Sequence, residues 1–453
     1  MSVKTRIHDS ISLELPFGLT SVTKLKINQR LNDHSKAWIE GTIQDEDVAA
    51  CSNIRWKENI TIGYQDGQTN QTLFSGIPVG VKVKHEGQAY VSLELCSSSI
   101  LMDYEKKTRS FQRKDMSYKN LFKELVKDNG GDIIDYASES KVYDMPLIQY
   151  EETDWEFLKR ASTYVGVPVY PNPTGSTAKI YIGFGSNHIT LNSSSNKTIK
   201  KRIGEFLEFR KNLSSSIESD FLSFYINGAW ECSLGDKVTC EGRSFHVTGI
   251  EDSFEGGLLS RRCLLEIKEG IRRKKNYQER MKGASLPGTI TAIEADRIRV
   301  RLDVDGKVSG EKLHWYPWHR NDWFCMPEVG SKARLYIPGA DESQAYVADI
   351  MQQSGKKKSK NRKPENKCFV TKRGKGMEAT PHSISFRASG KKLTMQLSDR
   401  SGVKIRSSRG IKINAGETFV CKADSIKIKS GEQIALATGS TSIVIDDLLQ
   451  IKG

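Results

Sequence analysis

Eight histidines, eight cysteines and adjacent carboxylates such as Glu151-Glu152 and Asp446-Asp447 are the groups with which this chain could do chemistry. Neighbouring side chains in regular structure point apart, so each carboxylate pair diverges rather than converging on one substrate. The histidines are scattered along the sequence. There is no Gly-x-Ser-x-Gly elbow for a serine nucleophile, no His-Glu-x-x-His for a hydrolytic metal and no phosphate-cradling glycine loop. Gly183-Phe184-Gly185 lacks the third glycine and the βαβ setting that a dinucleotide requires. The cysteines, at positions 51, 96, 232, 240, 263, 325, 368 and 421, form no Cys-x-x-Cys and mostly sit in apolar, strand-like contexts. Reduced thiols are expected there rather than disulfides or zinc. The cluster His314-Trp315-Tyr316-Pro317-Trp318-His319-Arg320 has the composition to stack bases or sugars, or to pack on a surface. No catalytic residue, metal ligand or cofactor site is assigned, no cofactor is expected, and the chain is read as non-enzymatic.

Charge is concentrated in one place. The formal net charge is +14, and seventeen Lys/Arg against three Asp/Glu between Ser354 and Arg409 account for all of it. Its densest run, Lys356, Lys357, Lys358, Lys360, Arg362 and Lys363, has no apolar periodicity and reads as a solvated, flexible linker. Such a run attracts polyanions through counterion release. No aromatic residue is interleaved with it, so a dedicated nucleic-acid partner is not expected. The N-terminal residues lead into no apolar signal region, and no stretch has the length of a membrane span, which places the chain in the cytosol at first.

The elements that must position these groups are mostly strands. Leu25-Lys26-Ile27, Ala37-Trp38-Ile39, Ile60 to Tyr64, Val79 to Val83 and Tyr90 to Leu95 alternate or run apolar between turn residues. A helix is predicted over 117–127, with Leu121, Phe122, Leu125 and Val126 on one stripe, and another begins at Thr153, with Glu156 placed to complete a capping box. Strands resume from 167 to about 267. After a basic, helix-prone connector, four short strands at 288–293, 297–302, 332–337 and 344–348 suggest a small barrel of the oligonucleotide/oligosaccharide-binding (OB) kind.

The last sixty residues repeat a hydrophobic–x–hydrophobic unit. Val403/Ile405, Ile411/Ile413, Phe419/Cys421, Ile426/Ile428, Ile434/Leu436 and Ile443/Ile445 start eight, eight, seven, eight and nine residues apart, with glycines between. Alternation puts each such pair on one face of a strand. A three-sided solenoid made by one chain needs about twenty residues per coil, so this tail would complete only about three coils. Three chains around one axis would bury the apolar positions together, whereas an ordinary antiparallel meander would not. The threefold β-prism or needle is the favoured expectation, with Val403, Ile405, Ile411, Ile413, Ile426, Ile428, Ile434, Leu436, Ile443 and Ile445 as its core.

Four segments carry a family resemblance. Trp323 to Gly330, including Pro327, Glu328, Val329 and Gly330, with Leu335 to Gly339 and Ala345-Tyr346-Val347, resembles the barrel of the VgrG spike proteins and of the phage late-control D and baseplate V proteins. Gln149 to Leu158, including Asp154, Trp155, Glu156, Phe157 and Leu158, is similar to the hub of the same family. The resemblance implies a mainly β chain in seven parts: hub β domain 1 at 1–110, helical connecting segments at 111–166, hub β domain 2 at 167–268, a basic connector at 269–284, an OB-fold-like barrel at 285–352, a basic flexible linker at 353–380 and a trimeric β-helix spike at 381–453. It implies a homotrimeric hub that caps the tube of a contractile injection apparatus and pierces a target envelope mechanically. Tail tube and baseplate proteins are the implied partners, with a PAAR-like tip protein or an effector as further candidates. The resemblance also implies assembly in the cytoplasm, ejection from the particle, and a packing role for the 314–320 cluster. The interval from Met351 to Arg387 is too short for the catalytic domain that some relatives carry there. The alternative reading is a non-enzymatic OB-fold binding protein for nucleic acid or an anionic cell-wall polymer.

Overall fold

The computed structural model describes residues 3–6, 11–66, 69–113, 116–138, 141–143, 145–191, 197–210, 217–271, 274–306, 312–319, 326–350, 365–371, 373–388, 393–445 and 449–452. They form two compact units, Met1–Gln353 and Ser354–Gly453. The fold is mainly β.

Alternating burial builds the first unit. In Ile11–Leu15 the side chains of Ile11, Leu13 and Leu15 are buried and those between are half-buried, the pattern of a strand with one face on a core. A 13-stranded sheet runs in the order Val3–Arg6, Ile11–Leu15, Ile60–Asp66, Thr69–His85, Ala89–Cys96, Lys36–Ile43, Ser21–Arg30, Arg243–Glu255, Leu258–Glu266, Leu222–Asn227, Lys197–Lys201. Two further strands branch from it, His188–Leu191 lying parallel to Lys237–Cys240.

The two β regions expected for the hub share this sheet. Two cores do exist, one around Leu13, Ile27, Ile62, Phe74 and Leu93, the other around Phe224, Val238, Phe245, Val247 and Leu265. They are joined because Ser21–Arg30 and Arg243–Glu255 pair antiparallel from Gly249↔Arg30 to Glu255↔Lys24. Arg243–Glu255 is long enough to serve both, with Phe254 in the first core and Ile250 in the second.

A third core lies under two helices. Ser117 caps Tyr118–Lys127 by accepting the Asn120 N–H at 3.2 Å, and Leu121, Phe122, Leu125 and Val126 are buried beneath it. Asp154–Val165 has the capping box, with Glu156 N–H donating to Thr153 Oγ1 and Thr153 N–H donating to Glu156 Oε2, both at 3.0 Å. Gly166 ends that helix at φ 71°, which a residue without Cβ adopts at no steric cost. The expected segment boundary at 110/111 falls inside the Lys106–Phe111 strand, which pairs with Leu147–Thr153. Among the described residues, the 269–284 connector is helical over Lys268–Ile271 and the single turn Glu279–Met281.

Among the described residues, the barrel region has five strands, ordered Trp315–Pro317, Arg297–Leu302, Ser285–Glu294, Lys332–Tyr336, Tyr346–Ile350. Its edges meet where Trp318 bridges Val347 and the His319 N–H donates to Val347 O at 2.9 Å. Ile290, Ile298, Val300, Leu335 and Val347 fill the interior, and Ile148 from the helical segment enters the same cluster.

The second unit departs most from expectation. Lys367–Val370, Gly376–Thr380, Ser383–Arg387, Leu393–Ser398 and Gly402–Ser407 form one antiparallel meander, so the sheet starts inside the segment expected as linker and crosses the 380/381 boundary. Ile434–Thr438, Thr441–Ile445 and Leu449–Lys452 form a second meander. The Ile411/Ile413, Phe419/Cys421 and Ile426/Ile428 repeats adopt no strand. Strands this short are marginal without a neighbour to pair with, and the chain supplies none there. The expected needle is not formed by the single chain.

Candidate functional site

The polar groups that the fold collects lie under the Asp154–Val165 helix and where that helix meets the barrel. Asp154, 1 % exposed, accepts hydrogen bonds from Lys107 Nζ at 2.6 Å, Arg109 Nη2 and Asn129 Nδ2 at 2.8 Å, and Gln149 Nε2 at 3.0 Å. Burial works to raise its pKa, but the bonds from Lys107, Gln149 and Asn129 outweigh it, so the carboxyl is held below the usual range. The other members of the motif pack: Trp155, Phe157 and Leu158 are buried in the third core, and Glu156 closes the capping box.

One turn further along, Arg160 joins the helix to the barrel. Its guanidinium, 2 % exposed, donates to Glu152 Oε1 and Oε2 at 2.9 Å, to Ile148 O at 2.7 Å and to Glu342 Oε1 at 2.8 Å. Glu342 is fully buried and belongs to the barrel's 342–344 turn. Burial lowers the Arg160 pKa, but the charges of Glu342 and Glu152 more than reverse this. Burial also pushes Glu152 upward, and Arg160 counters only part of that. Two carboxylates around one cation leave a net negative charge in a dry place, so the arrangement depends on Arg160. A second tie is Asp305 of the barrel, which accepts the Ser110 N–H at 2.6 Å and is also bonded by the Ser110 hydroxyl. Burial raises its pKa.

A constellation that sequence reasoning missed lies nearby. His34 Nδ1 is 2.7 Å from Ser99 Oγ, and His34 Nε2 is 3.3 Å from Asp103 Oδ2. These are the groups of a serine-hydrolase triad. Ser99 is 1 % exposed, its hydroxyl is shared with Ser97 at 2.8 Å, and Trp155 stacks on His34 with centroids 4.4 Å apart. A nucleophile so enclosed meets no substrate. The group clasps the 98–103 turn to the Asp154–Val165 helix, and the Asp103 carboxyl is held below its usual range, chiefly by the bond from His34.

The barrel motif is a turn. Pro327 precedes Glu328 and an exposed Val329, and Gly330, at φ 87°, donates its N–H to Ile290 O at 2.8 Å. Trp323 to Cys325 lie outside the described residues. In the aromatic cluster, Trp315 carries Arg299 at 4.3 Å, Tyr316 is buried and His319 stacks on Tyr346, while Arg320 lies outside the described residues. Lys356, Lys357, Lys358, Lys360, Arg362 and Lys363 also lie outside them. Cys51, Cys96, Cys232, Cys240 and Cys263 are buried free thiols, and burial pushes Cys51 up to about 11 and Cys96 to about 12. Among the described residues no group of three or more His, Cys, Asp or Glu is placed to hold a metal ion.

Of the proposed needle core, Val403, Ile405, Ile411, Ile413, Ile426, Ile428, Leu436 and Ile445 are exposed, and Ile434 and Ile443 half-buried. Ile413 and Ile428 are 66 % and 69 % exposed, and no described residue of this unit with an assigned burial is buried.

The geometry is a continuous sheet tied to a small barrel by buried charge. Solved structures share this fold. An E. coli protein, c3393, described as a component of the type VI secretion system with structural similarity to the T4 bacteriophage tail proteins gp27 and gp5, is 14 % identical. It matches at a TM-score of 0.55 over 75 % of this chain and 99 % of its own. A half-lidded PdpA–VgrG complex of Francisella is 9 % identical, with a TM-score of 0.54 over 90 % of this chain and 89 % of that one. A lidless PdpA–VgrG complex is 10 % identical, with a TM-score of 0.52 over 87 % and 94 %. A sequence-family profile described as the Alg8 N-terminal domain matches residues 19–173, less than half of the chain. That stretch is not self-contained here, because its Ser21–Arg30 strand pairs with Arg243–Glu255 beyond it. No curated protein matches the sequence.

Proposed function

We propose that this protein is the homotrimeric hub and spike of a contractile injection apparatus, a phage tail, bacteriocin or secretion system. The hub caps the tube, and the C-terminal unit is the piercing tip. The observation that carries this reading is the C-terminal unit, where Ile411, Ile413, Ile426, Ile428 and Leu436 recur at near-regular spacing, are more than half exposed, and have no core to join. Exposed apolar side chains repeated at this density are the kind of surface that an interface covers. Three copies wound together would bury each such residue, contributing about 1.5–3 kcal/mol for every fully buried Ile or Leu. The likeness in fold to the type VI component and to the PdpA–VgrG complexes supports the same reading. In this account the barrel continues from the hub as an OB-like module, and the Glu152–Arg160–Glu342 tie transmits axial load between them. The partners are tail tube and baseplate proteins, with a tip protein or effector at the distal end. The particle ejects the spike on contraction.

Paired substitutions test it. Ile428→Asp would place three carboxylates in one apolar layer and abolish the heat-stable trimer on a gel. Lys427→Asp changes a solvated charge and leaves the trimer intact. Equal behaviour of the two variants would overturn the threefold needle.

A further inference from the structure

A cleft of about 650 Å³ opens between the Asp154–Val165 helix and the segment that runs from Lys268 toward the barrel. Its wall carries Lys159, Lys268, Lys274, Lys275 and Arg280. The acidic groups of the wall are already committed: Glu152 to Arg160, and Glu156 to the capping box. Among the described residues no carboxylate forms an ion pair with Lys159, Lys268, Lys274 or Lys275. Three of these ammonium groups rest over aromatic faces instead, Lys159 on Trp155 at 5.7 Å, Lys268 on Phe184 and Lys275 on Tyr164, both at 5.9 Å. Four like charges around one concavity repel one another, and an anionic occupant would relieve that repulsion.

The chemistry of the wall discriminates among anions. A compact phosphate favours a helix N-terminus or a free arginine fork. Here the Gly166 end in the wall is a helix C-terminus, whose partial charge is negative; of the two arginines in the wall, Arg160 is buried and taken, and Arg280 donates Nη1 to Glu151 O at 3.0 Å. The cations are spread on separate flexible stems, with Tyr277, Ile271 and Val167 between them. That pattern matches alternating carboxylates and apolar side chains. Among the described residues the backbone of Lys274 to Tyr277 makes no bond to other backbone, the Asn276 N–H being held by Thr163 Oγ1 at 2.9 Å. The carbonyl and amide groups there that have no partner among the described residues can pair with an added chain.

We propose that this cleft binds an acidic, partly apolar peptide segment of a partner protein. The site is built within one chain and goes beyond the assembly proposed above. The test uses the full-length protein and a fluorescein-labelled peptide of sequence Glu-Leu-Glu-Glu-Leu-Glu-Glu, followed by fluorescence anisotropy. Binding is expected for the wild type and for a linker control carrying Lys356→Gln, Lys357→Gln, Lys358→Gln and Lys360→Gln. A cleft variant carrying Lys159→Gln, Lys268→Gln, Lys274→Gln and Lys275→Gln should bind at least about tenfold more weakly, with an unchanged melting curve. Equal affinity of the cleft variant and the wild type would overturn the proposal, as would absence of binding by the wild type. Displacement of the peptide by equimolar tripolyphosphate would also overturn it, and would assign the cleft to phosphate compounds. None of these readouts depends on whether the chain is trimeric.

Discussion

Arg160→Met should be among the most damaging single changes in the first unit. The methionine can fill much of the volume, but Glu152 and Glu342, 4 % and 0 % exposed, would lose the cation that both of them bond. Breaking a buried pair by removing one partner costs about 3–5 kcal/mol. With roughly 2 °C of melting temperature per kcal/mol in a large unit, the midpoint should fall by about 6–10 °C. The loss should also depend on pH in a defined sense. Glu152 already has a raised pKa in the folded protein, and without Arg160 it rises further. A carboxyl raised on folding binds more protons folded than unfolded, so its contribution to stability is largest at low pH and is lost as pH rises from the unfolded value through the folded one. The penalty of Arg160→Met should therefore shrink as the pH is lowered through the carboxylate range. Glu342→Gln, which leaves Arg160 and Glu152 paired, should cost less. The assay is chemical denaturation of wild type and both variants at several pH values. A penalty for Arg160→Met below about 1 kcal/mol, or one independent of pH, would refute the claim that this guanidinium holds two dry carboxylates.

Asp154→Asn should remove a contribution of opposite sign: the Asp154 pKa is lowered by folding, so the stabilisation it provides is present above the unfolded value and disappears as pH falls through the folded one. The difference between wild type and variant, measured by denaturant titration, should vanish in acid. Ser99→Ala should cost about 1–3 kcal/mol by leaving His34 Nδ1 unpaired, while hydrolysis of an activated ester stays at the level of the wild type, because the hydroxyl is a clasp and not a nucleophile. A fall in ester hydrolysis in that variant would contradict this. Trp155→Ala should cost about 3–5 kcal/mol through the cavity it leaves, read as a lowered denaturation midpoint.

What was legible in the chain was local. The Thr153-x-x-Glu156 spacing specified the capping box, the Leu121/Phe122/Leu125/Val126 stripe specified a buried helix face, and alternation marked four of the barrel's five strands. The fifth, Trp315–Pro317, is three residues long and carries no alternation to detect. Long-range pairings left no local trace. Arg160 and Glu342 are 182 positions apart, and His34 finds Ser99 and Asp103 across 65 and 69, so a histidine isolated in sequence gains its partners only in space. The pairing of Ser21–Arg30 with Arg243–Glu255, which makes one sheet of two cores, is equally non-local. In the C-terminal unit the hydrophobic period was plain, yet three of the six repeats form no strand in one chain. A period records which side chains share a face and is silent on which chain supplies the neighbour.

The most direct measurement of the central claim is the mass of the full-length protein in solution, by size exclusion coupled to light scattering across a dilution series. The account predicts three times the mass of one chain, unchanged on dilution, and a shift to lower mass when residues 403–453 are removed. A mass of one chain at every concentration, with the C-terminal unit intact by mass spectrometry, would contradict it.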